Sequence, residues 1–216
     1  MEIGIDSEIA EKTASYLLNI KAVKLNVNTP FTLSSGLLSP IYCDNRRILS
    51  HPEVRAYVAK SLSLLVKQYF PQTQVLAGVA TGAIAHGVLV AQELGLPFVY
   101  VRSSQKGHGL GNQIEGELAE GSKVTVVEDL VSTGQSSLAA LDALINAKSD
   151  VLGMVAIFTY QLERAAENMA AAKCPLYTLT NYDTLIKQAL NMALIHHSSL
   201  DSLEKWKANP SDWKPI

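Results

Sequence analysis

The sequence predicts an α/β fold in which a central, mostly parallel sheet is flanked by helices. Three observations predict it. Short runs rich in apolar and β-branched residues alternate with stretches of helical period, the pattern of strands joined by crossover helices. Apolar residues make up 48% of the chain, enough for a sizeable buried sheet. At 216 residues there is room for one such core with small additions, and two independent cores would be a squeeze.

The elements follow in order. Asp6–Leu18 reads as a helix with Ile9, Thr13, Tyr16 and Leu17 near one face. Val23–Val27 is extended. In FTLSSGLLSPIYCDNRR, from Phe31 to Arg47, Gly36 and Pro40 mark a turn between two short strands. Ser50-His51-Pro52 opens a helix, since proline is tolerated in a first turn that does not need its missing N–H. Val54, Tyr57, Val58, Leu62, Leu65, Val66 and Tyr69 keep helical periodicity through it. Strands are expected at 75–80 (VLAGVA), 97–102 (PFVYVR), 123–129 (KVTVVED), 151–160 (VLGMVAIFTY) and 175–179 (PLYTL), with helices over 83–94, 134–147 and 161–171. The polar tail Ser198–Ile216 reads as a docked helix, with Trp206 and Trp213 as packing anchors.

Composition excludes several classes. A net charge of −2 supplies no bulk positive field for nucleic acid. No run of 18 apolar residues offers a membrane span, and the acidic N-terminus lacks the apolar core of a secretory signal. Cys43 and Cys174 are far apart and lack metal-ligand spacing, a usage that fits a reducing cytoplasm.

Ligands on parallel sheets bind at the carboxyl ends of the strands, where the loops 80–83, 102–116 and 128–134 all lie. The strongest signal is VTVVEDLVSTGQSS, residues 124–137. Thr133-Gly134-Gln135-Ser136-Ser137 offers hydroxyls and closely spaced N–H groups at a helix start, which suits a phosphate. Gly134 lets the backbone approach without a Cβ in the way. Glu128 and Asp129 would repel a phosphate, so they suit hydroxyl donors instead. A sugar with two neighbouring hydroxyls and a 5-phosphate satisfies both halves. The plainer alternative is an acidic strand end followed by a Thr133 helix cap.

The second loop, VRSSQKGHGLGNQIEG at 101–116, is too rich in glycine for a stable helix or strand, yet carries Arg102, Lys106 and His108. Beside a phosphate site it reads as a lid that closes on a polyanion; alone it would be a solvated loop. The third, GVATGAIAHG at 78–87, is a tight strand-to-helix turn with Thr81. His86 reads as helix surface or packing, and His196-His197, without a nearby carboxylate or cysteine, as solvated histidines.

Residues 124–137 resemble the phosphoribosyl pyrophosphate signature of the type I phosphoribosyltransferases. FTLSSGLLSPIYCDNRR and VRSSQKGHGLGNQIEG are similar to the orotate-using branch, and the likeness covers nearly the whole chain. The resemblance implies one domain over 1–216, with a small N-terminal hood of roughly 1–48 plus the tail, and a core of roughly 49–195. It implies transfer of ribose 5-phosphate from 5-phosphoribosyl 1-diphosphate to orotate, with Mg²⁺ carried on the substrate and few direct protein ligands. By the same resemblance Glu128, Asp129, Leu130, Val131, Ser132, Thr133, Gly134, Gln135 and Ser136 hold the ribose and its phosphate, with Ser132 near orotate. Arg102, Lys106 and His108 match pyrophosphate-contacting, catalytic positions. The lid would reach the partner's site in a cytoplasmic homodimer.

Three positions depart from the family pattern: Ser34 and Ser103 stand where basic residues are usual, and Thr159-Tyr160 where Asp-Arg is usual. Arg46 or Arg47 could replace the missing counter-ions for orotate, or be two solvated arginines. Rival readings are a phosphoribosyltransferase for a purine and a regulator that binds phosphoribosyl pyrophosphate without catalysis. The short acidic N-terminus and the cations of the lid argue against the regulator.

Overall fold

A computed structural model describes residues 2–3, 6–33, 36–102 and 113–215. In chain order the elements are β1 (Glu2–Ile3), α1 (Ser7–Asn19), β2 (Val23–Leu25), β3 (Phe31–Thr32), β4 (Leu38–Ser39), β5 (Ile41–Cys43), α2 (Pro52–Tyr69), β6 (Val75–Val79), α3 (Ile84–Leu94), β7 (Phe98–Val101), β8 (Ile114–Glu115), β9 (Lys123–Val131), α4 (Gln135–Asn146), β10 (Asp150–Thr159), α5 (Glu163–Ala171), β11 (Leu176–Asn181), α6 (Tyr182–Asn191) and α7 (Leu200–Ala208). A 3₁₀ turn over Asn45–Ser50 leads into α2.

Among the described residues, seven strands form one sheet in the order β1-β11-β10-β9-β6-β7-β8. Among these residues, every pairing within this sheet is parallel except β7 with β8. Parallel strands covered on both faces read as continuous apolar runs, and all five residues of β6 are buried. Side chains alternate between the faces. Leu76, Val127, Val155 and Ile157 join the core beneath α1, α2 and α6. Val75, Ala77, Val124, Val126 and Met154 join the core beneath α4 and α5.

From β6 the chain moves one way to β7, and from β9 the other way to β10 and β11. The strand order therefore reverses between β6 and β9, and the loops leaving their carboxyl ends part to leave a crevice. Ahead of the sheet, β2 pairs antiparallel with β5, and β3 with β4 across a turn in which Gly36 takes φ +83°.

The expected strands and helices all form, with shifted ends. β9 runs through Val131, two residues past the expected end, because its pairing with β10 continues to Val131. The tail docks as expected: Trp206 and Trp213 are 3% and 8% exposed, and the Trp213 Nε1–H donates to the Ser202 carbonyl at 2.9 Å. β1, β8 and α6 go beyond the sequence expectations. The two strands are each two residues long, and only their neighbours in the sheet define them.

Candidate active site

The crevice between β6 and β9 opens into a cleft of about 460 Å³. Its floor is the end of β9 with Glu128 and Asp129; its walls are the loop 80–82, the start of α4, and Cys43, Asp44 and Arg46 after β5. The Ala80–Thr81 peptide bond is cis.

The two acidic residues differ sharply in environment. Glu128 is 4% exposed, and its Oε2 accepts from the Ser137 hydroxyl at 3.1 Å while Oε1 accepts from the Asp129 N–H at 3.0 Å. Burial, and then the charge of Asp129, raises its carboxyl well above the usual range. Asp129 is half-buried beside Gly82, where a Cβ would stand 2.5 Å from its Cγ. Its backbone is pinned from below: the Asn45 Nδ2–H donates to the Asp129 carbonyl at 2.6 Å. His86, 1% exposed, packs behind this corner, and burial pushes its pKa down against the opposing pull of Asp129 and the Asn45 backbone.

Beyond β9 the chain turns through Ser132 and Thr133 to Gly134, which takes φ +82°, a left-handed conformation that favours glycine. A Cβ there would also meet the Met169 Cε at 3.0 Å. The Asn168 Nδ2–H, from α5, holds the Thr133 carbonyl at 2.8 Å. Gln135 opens α4 with no side-chain cap, and the first helical bond runs from the Leu138 N–H to the Gly134 carbonyl at 2.9 Å. The N–H groups of 135–137 thus lack helical acceptors and face an anion's natural position. Carboxylates at one end and free N–H donors at the other are what a hydroxylated sugar phosphate requires.

A second cleft of about 950 Å³ adjoins the first along Cys43, Leu130, Ser132, Thr133 and Gln135. Its remaining walls come from the β3–β4 hairpin, from Tyr160 and the start of α5, and from the tail at Trp206–Ser211. The Cys43 thiol, at the border, is pushed well up by burial and then by Asp129 and Asp44, so it stays protonated.

Of the residues expected from sequence, Glu128, Asp129, Leu130, Ser132, Thr133, Gly134, Gln135, Ser136 and Arg46 line the first cleft together. Val131 is fully buried, with its carbonyl taken by the Tyr160 N–H at 3.3 Å. Arg46 is tied to Asp44, Nε to Oδ1 at 2.6 Å, and that bond holds the Asp44 carboxyl below its usual range. Arg47 turns away, donating to the Ile20 carbonyl at 3.1 Å. Arg102 belongs to neither cleft wall. It sits at the root of the Gly-rich loop, its N–H donating to the Gln113 carbonyl at 2.9 Å and its Nη1 3.6 Å from Glu115 Oε1. Lys106, His108, Ser34 and Ser103 lie outside the described residues. Sequence reasoning missed the supports Asn45 and Asn168, which lie 84 and 35 residues from what they hold. It grouped the Ser137 hydroxyl with the phosphate donors, whereas the fold turns that hydroxyl to Glu128. It also missed that the tail walls the larger cleft.

The phosphoribosyl transferase domain model matches residues 44–188. The chain is 54% identical over 213 residues to the orotate phosphoribosyltransferase of Bacillus subtilis, covering 98% of this chain and 99% of that one. Among solved structures it is similar to the orotate phosphoribosyltransferase of Aeropyrum pernix (TM-score 0.73, 28% identity, 85% of this chain, 99% of that chain). It is also similar to that of Mycobacterium tuberculosis in complex with 5-phospho-α-D-ribosyl 1-diphosphate (TM-score 0.64, 25% identity, 82% of this chain, 98% of that chain). The chain belongs to the phosphoribosyltransferase family, in the group whose named relatives are orotate phosphoribosyltransferases.

Proposed function

We propose that the chain transfers ribose 5-phosphate from phosphoribosyl pyrophosphate to orotate, giving orotidine 5′-phosphate and pyrophosphate. The observation that carries this reading is the run from β9 into α4. In one stretch, Asp129, open to the cleft, offers acceptors for vicinal hydroxyls, with the buried Glu128 beside it, and the uncapped start of α4 offers donors for a 5-phosphate.

The base nitrogen attacks ribose C1 as the bond to pyrophosphate breaks, so positive charge grows on the sugar and negative charge on the leaving group. Asp129, open to the cleft, stands on the side where a carboxylate offsets the sugar's charge. Arg102, Lys106 and His108 supply cations to the pyrophosphate as the loop closes and water leaves. The Asp129 carboxylate and the Thr81 hydroxyl, both on the cleft lining, are hard oxygens that fit Mg²⁺. When bound on the substrate's own oxygens, Mg²⁺ would neutralise part of the pyrophosphate charge. Ser132 lines both clefts and borders the base; Arg46, the other expected contact, lines the first cleft and is tied to Asp44.

We read residues 1–48 and the tail as a hood over a core at 49–195, and the assembly as a homodimer sharing the lid loop. The exposed Leu64 on α2 and Val88 on α3, helices that pack against each other, support a covered face. No helix among the described residues is long and apolar enough to cross a membrane, and the unpaired Cys43 and Cys174 suit a cytoplasmic location.

The test is loss of orotate ultraviolet absorbance with phosphoribosyl pyrophosphate, run with and without Mg²⁺. Metal-dependent loss with pyrophosphate release is expected. Consumption of adenine or hypoxanthine in place of orotate would overturn the choice of base.

A further inference from the structure

An orotate base brings a carboxylate into the second cleft, and an anion set against apolar walls is held best by a hydrogen-bonded cation. The cleft has apolar walls suited to a flat ring, among them Leu33, Tyr42, Leu130 and Tyr160. Its lining includes two cations, Lys207 and Arg164. Lys207 is already committed, its Nζ 2.7 and 2.8 Å from the two carboxylate oxygens of Asp183. Arg46 lines only the neighbouring cleft and is held by Asp44. Arg164, in the first turn of α5, makes no ion pair among the described residues. Its wall also carries Glu163 and Glu167, so an anion on this side needs a direct guanidinium contact to be held.

We infer that Arg164 holds the carboxylate of the base, taking the place of the Asp-Arg pair that Thr159-Tyr160 replaces. The inference rests on the orotate reading above. A guanidinium meets a carboxylate through two parallel N–H···O bonds, a geometry that an ammonium cannot copy. Placed on α5, five residues past Thr159, the arginine approaches the cleft from the helix start and leaves Tyr160 buried, 7% exposed. Arg164 is exposed, so its replacement leaves the core untouched.

The experiment is steady-state kinetics of Arg164→Gln and Arg164→Lys, with each substrate varied in turn and thermal unfolding recorded beside it. Arg164→Gln is expected to raise the KM for orotate about tenfold to a hundredfold, the value of a charge-assisted pair. The KM for phosphoribosyl pyrophosphate and the Tm should stay unchanged, and Arg164→Lys should recover part of the loss. An orotate KM within twofold of wild type would overturn the inference, as would an equal rise in both KM values. Wild-type protein that leaves orotate unconsumed would overturn the functional reading itself, and this inference with it.

Discussion

Replacing Gly82 with alanine puts a methyl group where Asp129 keeps its carboxylate. The new Cβ would stand 2.5 Å from Asp129 Cγ and 2.6 Å from Oδ1, where ordinary contact begins at 3.4 Å. The carboxylate must therefore retreat by about 0.9 Å, or the loop 80–82 must lift by as much. Asp129 cannot yield easily along the backbone, because Asn45 pins its carbonyl at 2.6 Å. A misplacement of about 1 Å at a positioned group costs about 10²-fold. The expected loss in kcat/KM is thus about a hundredfold, or about 2.7 kcal/mol of transition-state stabilisation. The assay follows orotate absorbance with phosphoribosyl pyrophosphate varied, and the Tm guards against unfolding. Repeating the change in an Asp129→Ala background isolates the cause, since removing the carboxylate removes the collision. Gly82→Ala within threefold of wild type would refute the reasoning; so would an equal cost with Asp129 already gone.

Three further outcomes are expected. Glu128→Gln should raise stability at pH 8 and match wild type near pH 4. A carboxyl whose folded pKa is raised contributes stability below its unfolded pKa of about 4.5 and loses it as pH climbs through the folded value. Equal Tm values at pH 8 would sink this account, and weaker binding of phosphoribosyl pyrophosphate should accompany the gain. Trp206→Ala should cost about 3–5 kcal/mol in urea unfolding, because the indole is 3% exposed and packs on Tyr160 and Tyr182; a loss under about 1 kcal/mol would deny it an anchoring role. Lys106→Ala should lower kcat by on the order of 10²–10³ while ribose phosphate still binds, and a near-wild-type kcat would remove Lys106 from the mechanism.

The sheet and the strand-to-helix turn that walls the candidate site were legible in the sequence because both are local. A buried parallel strand writes itself as VTVV, and a helix start beside a glycine writes itself as STGQSS. Such signals need only a few adjacent residues and a fixed period. α6 was legible too: Tyr182, Leu185, Ile186 and Ala189 are buried at helical spacing behind an Asn181 cap, yet the sequence reading stops at the preceding strand.

What tertiary structure decided lies between distant residues. The sequence shows two acidic neighbours, but only the fold buries Glu128 and leaves Asp129 open, because Ser137 and the sheet close over one side chain while Gly82 leaves room beside the other. Asn45 meets the Asp129 carbonyl across 84 residues, and Asn168 meets the Thr133 carbonyl across 35. The tail, which the sequence marks as a docked helix anchored by tryptophans, becomes a wall of the larger cleft by docking Trp206 against Tyr160. Periodicity reports which face of an element is apolar. Which elements meet at that face, and which charges are neutralised there, depends on packing between segments that share no local pattern.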